Sequence, residues 1–153
     1  MKTRNWALAA ICTCLASSHV AASQFCDDIE LLVREASKKF SGIRTDEELR
    51  FDDGSLRTGY FKVTKVLPNS DLCWLQHGSY RCRWDVTESV WQKQSATLAD
   101  GVSLCFPGAK ATSEVRAKDS FYRFEPKVQR VKVFVDGMAA DGDSHVYLTV
   151  EPR

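Results

Sequence analysis

Residues 71–86 read DLCWLQHGSYRCRWDV, and no other stretch constrains the fold as tightly. Let His77-Gly78 be a two-residue hairpin turn. Gln76 then faces Ser79, Leu75 faces Tyr80, Trp74 faces Arg81, and Cys73 falls directly opposite Cys82. Leu75, Tyr80, Cys82 and Trp84 share one face, while Trp74, Arg81, Arg83 and Asp85 share the other, as the two-residue period of a strand requires. A type I′ turn needs positive φ at both central residues, which His tolerates and Gly favours. Register, polarity and turn chemistry therefore agree on a stapled hairpin with one apolar face.

The staple implies an oxidising compartment, and the N-terminus points the same way. Lys2 and Arg4 precede the apolar run Trp6–Leu15, which is too short for a bilayer span of about 20 residues. Val20-Ala21-Ala22 supplies the small residues of a cleavage site. A secretory signal peptide over residues 1–22 is expected, with cleavage after Ala22. Cys12 and Cys14 would leave with it, and neither follows a lipobox. The remaining chain, 23–153, is expected to form one domain in the periplasm or outside the cell. No later segment is apolar enough to cross a membrane.

Four cysteines remain: Cys26, Cys73, Cys82 and Cys105. An even count in an exported chain reads as disulfides. Hairpin opposition favours Cys73–Cys82, leaving Cys26 with Cys105, since both lie on apolar helix stripes. The rival pairing joins Cys82 to Cys105 and Cys26 to Cys73.

Around the hairpin, periodicity places the other elements. Residues 26–41 carry Cys26, Ile29, Val33, Ala36 and Phe40 at helical spacing, with Gly42 as the stop. Residues 58–67 read as a strand by their β-branched and aromatic content. Thr87 is a candidate N-cap for a second helix reaching about Cys105, with Trp91, Leu98, Val102 and Cys105 on one face. Gly101 is a point where that helix could break. Strands follow at 120–125, 128–136 and 144–150, the last two with alternating Val and Leu. Residues 43–56 and 108–118 read as irregular, and no internal repeat is visible. The expected fold is α+β, ordered α-βββ-α-βββ: an antiparallel sheet of five to six strands, disulfide-stapled, with two helices on one face. The opening helix–three strands–helix layout resembles that of secretion-chaperone-type domains. Those are cytosolic, so the leader argues against their function here.

Removing Lys2 and Arg4 from the 21 basic residues leaves 19 against 20 acidic ones. That balance argues against a nucleic-acid partner, which needs a basic stripe. Structural zinc requires four closely spaced thiolate or imidazole ligands, and His77 at a hairpin tip cannot join Cys73 and Cys82. The Asp136–Asp143 loop, with Asp141, crowds carboxylates without EF-hand spacing, which leaves calcium binding open. No metal and no cofactor is assigned. Nucleophilic catalysis finds no G-x-S-x-G, and after the leader only His77 and His145 remain. No catalytic residue is therefore assigned. The alternative of a small carboxylate hydrolase would rest on Asp52, Asp53, Asp141 and Asp143. A structural protein of the cell envelope is a third possibility.

Binding has positive support. The polar sheet face would display Trp74, Arg81 and Arg83, joined by Phe134 and Tyr147 if the late strands enter the same sheet. Trp, Tyr and Arg are the residues enriched at interface hot spots. The expectation is an exported small binding protein, an inhibitor or a toxin-neutralising immunity-type protein, whose partner is another protein.

Overall fold

A computed structural model of the chain describes residues 16–51, 54–127, 130–140 and 142–153, with side chains from residue 23 onward. The apolar run Trp6–Leu15, with Cys12 and Cys14, lies outside these residues, as do Asp52, Asp53 and Asp141.

The order is α1 (Ala16–Ala36), β1 (Arg44–Arg50), β2 (Leu56–Val63), β3 (Leu72–Gln76) and β4 (Ser79–Val86). Then come α2 (Trp91–Cys105), β5 (Lys110–Val115), β6 (Asp119–Glu125), β7 (Val131–Met138) and β8 (Ser144–Pro152). All eight strands form one antiparallel sheet in the order β1-β2-β3-β4-β8-β7-β6-β5. Each half is thus one helix followed by a four-strand meander, and the halves meet at β4 and β8. The sheet mirrors itself about that central pair, although the sequence shows no repeat.

The expected class is right, but five to six strands is an undercount. The missing ones are β1 and β5, the two outermost strands. Every residue of β5 is exposed, and only Leu49 of β1 is buried. A strand that buries neither face has no apolar alternation to read.

The hairpin forms in the expected register. Cys73 pairs with Cys82, Trp74 with Arg81, and Leu75 with Tyr80. His77 and Gly78 take φ of 49° and 80°. Cys73 is bonded to Cys82, and Cys26 to Cys105, tying α1 to α2.

Both helices lie on the apolar face of the sheet, as the alternating strands require. Ile29, Leu32 and Val33 of α1 and Val102 of α2 meet Cys82, Leu148, Val135 and Val146 in the core. Each such buried side chain contributes roughly 1.5–3 kcal/mol. α2 packs beneath β8, β7 and β6.

Three helix boundaries differ from the sequence expectation. α1 begins ten residues earlier than Cys26 and runs through the expected cleavage point after Ala22. It ends at Ala36, not Ser41. Lys39 and Phe40 turn left-handed, with φ of 54° and 60°, which swings the Phe40 ring into the core. The Phe40 N–H donates to the Glu35 carbonyl at 2.8 Å, and the Gly42 N–H to Glu35 Oε2 at 3.0 Å. A Cβ on Gly42 would sit 2.6 Å from that carboxylate oxygen, so glycine serves here by close approach. Finally, Thr87 does not cap α2. The Val90 N–H donates back to the Thr87 carbonyl at 3.0 Å, a turn that delays the helix to Trp91. The helix does continue through Gly101, where the Phe25 ring of α1 packs 3.2 Å from the position a Cβ would take.

No helix among the described residues is long and apolar enough to cross a membrane. That fact and the two disulfides are compatible with export.

Candidate functional site

With both helices on one side, the opposite face of the sheet carries no second layer among the described residues. Its side chains fall into rows that run across the strands. One row reads Glu114, Phe121, Asp136, Tyr147, Arg83 from β5 to β4. The next reads Arg123, Phe134, Thr149, Arg81, Trp74 from β6 to β3. A third joins Asp119, Met138, His145 and Asp85. All five expected residues, Trp74, Arg81, Arg83, Phe134 and Tyr147, therefore share this face. They lie in two adjacent rows because β8 inserts next to β4.

They are not all displayed. Trp74 is only 4% exposed. Phe51, at the end of β1, folds over the face and meets Trp74 and Tyr60 edge-on, at ring-centroid distances of 6.4 and 5.4 Å. The Arg57 guanidinium lies over Phe51 at 4.6 Å. Trp74 is thus a packing residue of a small second cluster, and its expected role as an exposed anchor is corrected. The Arg81 guanidinium sits over the Tyr147 ring at 4.8 Å, and its Nε–H donates to Thr149 Oγ1 at 3.2 Å.

Arg83 reaches Asp85, with Nε 2.8 Å from Oδ1. Asp85 also lies 2.8 Å from His145 Nδ1, and Asp143 lies 3.1 Å from His145 Nε2. Arg83, Asp85, His145 and Asp143 therefore form one continuous chain of polar contacts. Asp143 belongs to this network, whereas Asp136 sits on β7 facing the open side. The described acids of the Asp136–Asp143 segment thus have separate surroundings. Among the described residues, no three His, Cys, Asp or Glu gather as a metal site.

Asp136 was read from sequence only as a member of a crowded loop. The structure instead places it in the middle of a groove of about 580 Å³. Phe121 of β6 stands on one side of it and Tyr147 of β8 on the other, with Arg81 of β4 beyond Tyr147, Met138 two residues along β7, and Glu114, Arg116 and Asp119 toward the β5 end. Burial pushes the Asp136 carboxyl up to about 6, against the opposing attraction of Arg81. The Tyr147 phenol is also raised, chiefly by burial, with Arg83 and Arg81 opposing and Asp85 and Asp143 adding to the rise. One clue was available in sequence: VKVFVD puts Asp136 on the same alternation as Phe134. The neighbours that bury it, Phe121 and Tyr147, come from strands that sequence could not pair with β7.

No protein family, curated protein or solved structure matches this chain.

Proposed function

We propose that this is an exported binding protein, of inhibitor or toxin-neutralising immunity type, that holds a protein partner against the open face of its sheet. The observation that supports it is the composition of that face. Phe121, Phe134, Tyr147, Arg81 and Arg83 lie in adjacent rows on a surface that neither helix covers. Aromatic and arginine side chains dominate protein interfaces because they combine large area with polar reach. A sheet stapled by Cys73–Cys82, backed by two helices tied through Cys26–Cys105, presents them at a reduced ordering cost on binding. Phe121 and Met138 are 40% and 46% exposed, an apolar rim to the groove.

The test is affinity capture with the oxidised protein and with the Phe121→Ser, Met138→Ser double variant. Both positions are exposed, so the variant is expected to fold like the parent. The reading predicts a stoichiometric partner that the parent retains and the variant loses. A parent that captures nothing, or a partner held equally by both proteins, would refute the use of this face.

A further inference from the structure

We propose that the Asp136 groove receives a lysine or arginine side chain of that protein partner, its cation resting on the Asp136 carboxylate between Phe121 and Tyr147. The inference deepens the binding-face reading and rests on it.

The argument begins with what Asp136 lacks. It is half-buried and attracted by Arg81, yet among the described residues no N–H or O–H donates to its carboxylate. Buried carboxylates in folded proteins are ordinarily hydrogen-bonded or paired. The two guanidinium groups in the groove make their closest contacts elsewhere, although Arg81 still attracts Asp136 through space. Arg116 holds Glu114 at 2.7 Å and approaches Asp119 at 3.9 Å. Arg81 donates to Thr149 and lies on Tyr147. The other ionisable groups lining the groove are Glu114 of β5, Asp119 of β6 and the Tyr147 phenol of β8. Three acids thus meet two bases, and the acid without a hydrogen bond is at the centre.

The walls favour the same occupant. The exposed Phe121 ring stands beside Asp136, backed by Phe134 at 5.5 Å, while Tyr147, across Asp136 from Phe121, already carries Arg81 on its ring. Aromatic faces attract cations, by about 0.5–2 kcal/mol depending on desolvation. A volume of about 580 Å³ accommodates one long basic side chain with its flanking residues.

The pH dependence has a definite sign. The ionised carboxylate binds the cation, and Asp136 ionises at about 6. Affinity should therefore be about tenfold weaker near pH 5 than near pH 7.5. An anion bound by Arg81 would show the opposite trend, because protonating Asp136 frees Arg81 from its attraction.

Acetylated tetralysine amide, acetylated tetraglutamate amide and spermidine serve as probes, titrated into the oxidised protein and followed by NMR. Tetralysine is expected to shift the Phe121, Asp136 and Tyr147 signals and to bind the parent at least about tenfold more tightly than D136N. F121S should also weaken it, and melting curves confirm that both variants fold. The proposal fails if tetraglutamate binds better and gains as pH falls, if spermidine outcompetes the peptide, or if D136N binds tetralysine like the parent. Partner capture reports separately. A partner that D136N retains in full would keep the face and remove this pocket. Tetralysine binding without any captured partner would keep the pocket and refute its use in a protein complex.

Discussion

Replacing Asp136 with Asn should make the protein more stable at neutral pH. The folded carboxyl titrates at about 6 and the unfolded one at the ordinary 3.8, burial being the cause. The folded state therefore holds the Asp136 proton more tightly than the unfolded state. Below pH 3.8 both states are protonated and the group costs nothing. As pH rises toward 6 the unfolded chain ionises first, and folding stability falls. Above 6 the loss is complete. A rise of about two pH units at about 1.4 kcal/mol each puts that loss at roughly 3 kcal/mol. Asn has the same shape and no charge, but it forfeits the attraction of Arg81, and its amide finds no more partners than the acid did. A net gain of about 1–2 kcal/mol near pH 7 is the expected result, shrinking to nothing near pH 4. In a chain of this length that is a rise in melting temperature of several degrees. Urea unfolding of parent and D136N across that range measures it, and other titrating groups cancel in the difference. A difference that stays constant with pH, or a D136N less stable at pH 7, would refute the assignment of an unsatisfied buried charge. If the gain is found, the native chain carries a destabilising carboxylate in a groove, which is the usual trade of stability for function.

The disulfides should contribute unequally. By chain entropy, Cys26–Cys105, with a separation of 79 residues, stabilises by about 4–5 kcal/mol, and Cys73–Cys82, with a separation of 9, by about 2–3 kcal/mol. Double Cys→Ala variants compared by urea denaturation should show that order. Gly137→Ala should destabilise by about 1–3 kcal/mol, because its Cβ would lie 2.8 Å from Ser120 Oγ and 2.9 Å from Trp91 Cε3. Thermal melting checks this, and an unchanged Tm would show that α2 can give way. Trp74→Ala should cost about 3–5 kcal/mol, as a buried aromatic does, and an effect under about 1 kcal/mol in urea unfolding would return Trp74 to the surface.

How legible each element was depended on what it buries. The β3–β4 hairpin could be read to the residue, since Cys, Leu, Tyr and Trp alternate on one face and the turn demands His-Gly. Strands β7 and β8 were equally plain, with Val131, Val133, Val135, Val146, Leu148 and Val150 all in the core. Strands β1 and β5 were invisible because RTDEELR and KATSEV each pair on one side only and leave almost nothing buried. The end of α1 was misplaced because Glu35 stops the helix by reaching forward to Gly42, a contact that leaves no periodic signal. Thr87 has the chemistry of a cap, but the chain turns before the helix can begin.

The site was legible only within strands, not between them. Sequence alternation could state which face Arg81, Arg83, Phe134 and Tyr147 take. It could not state that β8 inserts between β4 and β7, and that insertion is what brings Tyr147 beside both Arg83 and Asp136. Trp74 was misjudged for a related reason. Its facing strand residue, Arg81, was known, but Phe51 reaches it from within a stretch that read as irregular. Asp136 was missed because its character comes wholly from neighbours on other strands. An Asp in VDG reads as a turn residue until Phe121 and Tyr147 stand on either side of it and half-bury it. A titratable group becomes a functional candidate through its desolvation, and desolvation is a property of the assembled sheet.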